Sequence, residues 1–275
     1  MSRRQRITTA LLLAPLPIIA LLWLPTPWLM ALIAAVLLFG LWEWTAFASL
    51  DDTLARVLYL TANALLIVAL AWGGGPNLFT LKLISVIGVL WWAVVLLWLA
   101  RPRFAAVDSQ PARSLKLLAG SLCVVPAWCA LGWLHAADPL GPRWALFVLV
   151  LVWAADSGAY FAGSRFGKRK LAPAISPGKT WEGVYGGLAT SGLLAVLVLP
   201  LLGLSWSSLP ALVLLTLVTT AISVVGDLFE SLMKRHSGMK DSGALFPGHG
   251  GLMDRLDSLV AALPVFAVGK SWLGL

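Results

Sequence analysis

Between Ser231 and Asp257 the chain reads SLMKRHSGMKDSGALFPGHGGLMDRLD, which places four cations, three carboxylates and two histidines between segments apolar enough to lie in a membrane. Such a density of charge at a bilayer surface points to an anionic ligand, held with a metal. Asp254 and Asp257 are three residues apart and share one face if a helix begins there. Gly250 and Gly251 allow the backbone to come close to a ligand, and His249, Lys240, Asp241 and Arg255 stand within reach along the sequence. Just upstream, Asp227, Glu230, Ser231 and Lys234 fall at i, i+3, i+4 and i+7, a single polar stripe on a helix, with Arg235 next to it. A lone structural Asp–Lys pair would explain one contact in that stripe and not the rest. Asp227, Asp254 and Asp257 make a hard-oxygen set suited to magnesium, which keeps waters and bridges to phosphates. Zinc is disfavoured, because the chain has three histidines and none has a partner at ligand spacing.

Two further segments carry chemistry. Ser176-Pro177-Gly178-Lys179-Thr180-Trp181-Glu182 offers Ser176, Lys179, Thr180 and Glu182 at a helix start, where backbone donors favour phosphate. The Gly-Lys-Thr triplet is not a P-loop: Pro173 stands where the first glycine is needed, and no strand is expected before it. A capping role for Ser176 or Thr180 is compatible with ligand binding. Lys179 is expected to have no carboxylate near it except Glu182. Asp156 lies within an apolar segment about two turns before its end, where an ionisable residue is expensive and is usually functional or paired. Glu43, between Trp42 and Trp44, is interfacial, paired or part of a cavity, and the sequence alone does not choose.

The elements that must position these residues are membrane helices. The chain has 275 residues, 60% of them apolar and 12% charged, with 15 tryptophans, and its mean hydropathy is +0.89. A soluble domain carries about twice that charge fraction. Nine segments reach the roughly 20 apolar residues that a span needs: 7–24, 27–47, 54–72, 79–100, 115–134, 143–163, 184–203, 208–231 and 256–274. The fold class expected is therefore all-α, a polytopic integral membrane protein of about nine transmembrane helices. Residues 1–142 would form N-terminal hydrophobic helices acting as scaffold and dimer contacts. Residues 143–275 would form the catalytic membrane region, with polar loops 163–183 and 232–255. The N-terminal run lacks a nearby small-residue cleavage site and reads as an uncleaved first helix rather than a signal peptide. With the N-terminus inside and the C-terminus outside, 17 of the 20 Lys and Arg residues are cytoplasmic, leaving out Lys82, Arg143 and Lys270. Both polar loops then face the compartment that holds nucleotides. The net charge of +8 fits loops lying on anionic lipid; no soluble basic domain exists to bind nucleic acid. Cys123 and Cys129 match neither a redox nor a metal spacing and read as packing residues.

Four blocks, in order, resemble the phosphatidate cytidylyltransferase (CDP-diacylglycerol synthase) family: DSGAYFAG with RFGK, SPGKTWEG, GDLFES followed by KR, and KD leading to PGHGGLMDRLD. The likeness covers about Trp153 to Leu259. Two departures stand out: Ser157 where the family often has threonine, and Gly178 where it often has a second basic residue, which keeps position 178 out of the expected site. The resemblance implies a magnesium-dependent enzyme of the bacterial inner membrane, a homodimer among membrane lipids, with its active site facing the cytoplasm. It would condense CTP with phosphatidic acid to CDP-diacylglycerol and pyrophosphate. A monovalent cation such as K+ is a further candidate for the site. In that reading Asp227 and Asp254, with Asp257, hold metal, and Lys234 and Arg235 act at the reaction centre. Asp156, Ser176, Lys179, Thr180, Glu182, Glu230, Ser231, Lys240, Asp241, His249, Gly250, Gly251 and Arg255 bind substrate. Two other classes fit parts of the pattern: a CTP-dependent lipid kinase, and an ion-coupled transporter using Asp156, Asp227 and Glu230. The transporter would place its carboxylates near mid-bilayer, whereas here they cluster at one end beside a basic loop.

Overall fold

A computed structural model of the chain describes residues 14–73, 78–243, 245 and 250–275. His249, Arg3, Arg4, Arg6 and the start of the first expected span lie outside the described residues. The helices are α1 (Pro15–Trp23), α2 (Thr26–Phe47), α3 (Thr53–Trp72), α4 (Phe79–Leu99), α5 (Gln110–Ala136), α6 (Gly141–Phe166), α7 (Trp181–Val198), α8 (Leu209–His236) and α9 (Met253–Trp272). Of these, α2 to α8 are long and apolar enough to cross a bilayer. In α9 the length suffices, but Asp254, Arg255 and Asp257 crowd its first two turns. The expected division after the first span holds: α1 stops at Trp23 and α2 starts at Thr26, with Pro25 between them.

One departure from an all-α fold is found in the loop before α7. Strands β1 (Lys170–Ala172) and β2 (Ser176–Thr180) form a short antiparallel hairpin, pairing Lys170 with Thr180 and Ala172 with Ser176. Pro177 and Gly178 disguise it in the sequence, since both are poor strand formers. The Gly-Lys-Thr triplet is thus the end of a strand that feeds a helix, and Thr180 caps that helix by accepting from the Gly183 amide at 3.2 Å.

The core is built around α5, the most enclosed of the spans. Where α4, α5 and α9 meet, Gly88 stands against Pro126 and Pro264, and a Cβ there would lie 2.5 Å from the Pro126 ring. Beside this junction Phe229 of α8 sits in a cage of tryptophans, with ring centroids 6.0 Å from Trp44, 6.0 Å from Trp91, 6.2 Å from Trp92 and 5.4 Å from Trp98. Cys123 and Cys129 are buried free thiols, as expected of packing residues.

Helix α8 is long enough to carry polar chemistry at one end. A bilayer core is about 30 Å thick, and the 28 residues of α8 rise about 42 Å. The helix is thus longer than a span needs, and its last two turns carry Lys234, Arg235 and His236. At this end His236 donates from Nε2 to the Pro102 carbonyl, after the close of α4, at 2.7 Å. At the opposite end, Lys270 of α9 meets Asp138 at 3.3 Å and Thr26 of α2 meets His135 of α5 at 2.9 Å.

Candidate active site

The apolar face of α8 fixes its polar face. Phe229 is locked among tryptophans, so Asp227, Glu230, Ser231 and Lys234 turn toward α9 and the hairpin. The predicted stripe is real, and it splits into two linked centres.

The first centre is formed by Lys179 of β2 and Asp227 of α8, which make a short ion pair. Lys179 is therefore not the carboxylate-free cation that its sequence neighbourhood indicates. Its partner comes from a distant helix, and Glu182 is engaged elsewhere. Ser231 donates to the other oxygen of Asp227 at 3.3 Å. Asp156 of α6 opens onto the same cavity, of about 430 Å³, which Tyr160, Thr180, Gly183 and Val224 also line. The charged neighbours of Asp156 are Asp227, Lys179 and Arg255, so α6, β2, α8 and α9 all contribute charge to one place. Asp156 lies ten residues before the end of α6, nearer three turns than two, because the helix runs on to Phe166.

The second centre surrounds Lys234. Its ammonium lies 2.5 Å from Glu230 on the same helix and 2.5 Å from Asp254 at the start of α9. The other oxygen of Asp254 accepts from the Gly251 amide at 2.8 Å, the Ser242 amide at 2.9 Å and the Ser242 hydroxyl at 3.0 Å. The glycine pair thus lets the backbone approach the protein's own carboxylate. Gly250 has φ +82, which favours glycine, and a Cβ there would come 2.5 Å from Asp254. The Gly251 amide, expected to bond substrate, is already engaged. Asp257 is buried, accepts from the Ser258 amide at 2.7 Å, and has Asp227 and Glu230 as charged neighbours.

Other expected residues have different surroundings. Glu182 clasps the hairpin: it accepts from the Lys168 and Arg169 amides and from the Arg169 guanidinium, each at 3.1 Å. That hydrogen bond holds the Arg169 pKa above its ordinary value. Arg235 braces the same hairpin, donating to the Ile175 carbonyl at 3.1 Å. Ser176 is half-buried at the start of β2, while Lys240, Asp241 and Arg255 are exposed at the rim. Glu43, left open by the sequence, is buried against the loop that carries Ser242. Its partners are about two hundred residues away, and the signal available was a carboxylate beside tryptophans at a helix end.

Among the described residues, no group of three His, Cys, Asp or Glu side chains is arranged to hold a metal. Asp227 and Asp254 each face a lysine instead. The donor chemistry still suits magnesium. The set is all carboxylate oxygen, and Glu230 leaves one buried oxygen without a hydrogen-bond partner.

The fold and the site together define a polytopic membrane protein that gathers lysine–carboxylate pairs, suited to polyanions, at one end of its helices. The chain belongs to the cytidylyltransferase family, which it matches over residues 4–271. It is 43% identical over 265 residues to a phosphatidate cytidylyltransferase of Pseudomonas aeruginosa, covering 96% of this chain and 95% of the relative. It is 40% identical over 281 residues to that of Haemophilus influenzae, covering 96% and 97%. The phosphatidate cytidylyltransferase of Staphylococcus epidermidis is 34% identical over 212 residues, covering 76% and 77%.

Proposed function

We propose that this protein transfers a cytidylyl group from CTP to phosphatidic acid, releasing pyrophosphate, at the cytoplasmic face of a bacterial inner membrane. The observation that carries the reading is the pairing of Lys179 with Asp227 and of Lys234 with Asp254 at one end of the bundle, beside a cavity open to Asp156. Family membership and the two nearly full-length relatives support the reaction class.

The attacking group is a phosphate oxygen of the lipid. It forms a bond to the α-phosphorus of CTP, and the bond from that phosphorus to the β-phosphate oxygen breaks. An anionic nucleophile needs no strong base. The protein must hold two polyanions side by side and offset their charge. Lys179 and Lys234 are the cations placed to do so, each oriented by a carboxylate until a phosphate takes its place. Arg255 and Lys240 stand at the rim, where the lipid head group would lie. Asp227 and Asp254, with Asp257 behind them, are the residues to hold magnesium. When bound, the ion would supply positive charge to offset that of the reacting phosphates.

Nine spans with the N-terminus inside, and a homodimer built on residues 1–142, complete the proposal. The surface of α3, the least buried of the spans, is available for such a contact. The test is to incubate purified protein with labelled CTP, phosphatidic acid and magnesium, and to identify both products. CDP-lipid and pyrophosphate are expected. CDP together with a newly phosphorylated lipid would identify a kinase and overturn the reading.

A further inference from the structure

Helix α9 carries Asp254 in its first turn, yet no side chain of its own caps it. The cap comes from α2. Glu43 accepts from the Leu252 amide at 3.0 Å and the Met253 amide at 2.8 Å, the free N–H groups that a helix start leaves over. The same carboxylate accepts from the Ser242 hydroxyl at 2.9 Å. Glu43 is 7% exposed and makes no ion pair within 4.0 Å among the described residues, so backbone and hydroxyl donors carry its charge. The chain is shaped around it: a Cβ at Gly243 would lie 2.4 Å from one Glu43 oxygen, and a Cβ at Gly251 would lie 2.5 Å from the other.

Ser242 joins this carboxylate to Asp254. Its hydroxyl lies 2.9 Å from Glu43 and 3.0 Å from Asp254, and it has one hydrogen to give. Glu43 thus governs both segments that cup Asp254: the turn at Ser242–Gly243 and the strand of backbone from Gly251 to Met253. With one Asp254 oxygen held by the Ser242 and Gly251 amides and sharing the Ser242 hydroxyl with Glu43, the other points at Lys234 and is the one free to exchange partners.

We propose that Glu43 is a positioning residue for the reaction. It acts through Ser242 and the start of α9, and it orients Asp254 so that a single carboxylate oxygen faces the substrate phosphates. The role rests on the cytidylyl-transfer reading above and extends the reacting machinery into the N-terminal half of the chain.

The test uses the full chain in lipid nanodiscs, with wild type, Glu43→Gln, Ser242→Ala and the double variant. Readouts are kcat per assembled protein, the magnesium concentration for half-maximal rate, and the thermal unfolding midpoint. Glu43→Gln keeps the shape of the side chain but turns a donor toward donors. It is expected to lower kcat at least tenfold and to raise the magnesium requirement several-fold, with the midpoint within a few degrees of wild type. Ser242→Ala is expected to shift the magnesium requirement in the same sense. The double variant should lose no more than the worse single variant, because both act on one linkage. An unchanged magnesium requirement in both single variants, or losses that multiply in the double, overturns the proposal. If Glu43→Gln does not assemble, Ser242→Ala decides in the same way. A wild type that forms no CDP-lipid would instead sink the reading on which the proposal rests.

Discussion

At the scale of single residues, Lys179 and Asp227 hold each other in a half-exposed pair that a phosphate can enter. Removing the ammonium leaves Asp227 facing the incoming triphosphate with no offset. Lys179→Ala is therefore expected to raise KM for CTP about tenfold or more, the scale of one lost charge-assisted bond. The unfolding midpoint should barely change, because the pair is partly hydrated. Steady-state kinetics at varied CTP checks this, and an unchanged KM would reduce Lys179 to a strand residue. Asp227→Asn and Asp254→Asn keep side-chain shape and remove charge. Each is expected to lower specific activity per assembled protein by about a thousandfold, the loss of several kcal/mol of charge stabilisation. Near-normal activity in either would remove it from the reacting set. The stripe of Asp227, Glu230, Ser231 and Lys234 was legible because helical periodicity needs no knowledge of neighbours. The partners of Lys179 and Glu43 were not legible, because they come from helices far along the chain, and no local pattern encodes which helices adjoin.

At the scale of elements, α8 works as a rod whose rotation is set by one residue. Phe229 occupies a cage of four tryptophans drawn from α2 and α4, and its position points the polar stripe at α9. Phe229→Ala would leave a large cavity and free α8 to turn. A destabilisation of about 3 kcal/mol or more is expected. It should appear as a lower unfolding midpoint together with lost activity, and Phe229→Leu should recover much of both. Activity lost in Phe229→Ala at an unchanged midpoint would point to direct contact with substrate instead. The hairpin before α7 is the element that the sequence concealed. Strands of three and five residues with a proline and a glycine show no alternation to read, and the clasp that stabilises them, Glu182 on Lys168 and Arg169, forms after the turn. The helices were legible almost to their ends, since length and hydropathy define them without tertiary information. α5, α6 and α8 run past the apolar stretches expected of them, because helical hydrogen bonding continues into the polar end where the site is built.

At the scale of the whole molecule, alternation of the expected spans sorts the cations of the sequence toward one side. Of the 20 Lys and Arg residues, 17 belong to segments assigned to the inner side by alternation from the N-terminus. Contacts in the folded chain respect that alternation. Glu43 near the end of α2 meets the start of α9, and His236 at the end of α8 meets Pro102 after α4. On the far side, Asp138 between α5 and α6 meets Lys270 near the end of α9, and Arg143 meets the Leu201 carbonyl after α7 at 3.4 Å. The two ends are thus sorted by packing as well as by charge. By the positive-inside rule the basic end is the one expected to be cytoplasmic. A reporter joined after Lys168 or after Lys240 is expected to be active only as a cytoplasmic fusion, and one joined after Leu275 only as a periplasmic fusion. Thiol labelling of single cysteines at Lys240 and Leu275 in intact cells gives an independent reading, with the second alone open to an impermeant reagent. A cytoplasmic C-terminus would mean an even number of spans. With α9 as a span, it would leave the ends of α8 and α9 that carry Lys234, Asp254 and Arg255 on the side opposite to the N-terminal arginines, and would overturn the proposed cytoplasmic site.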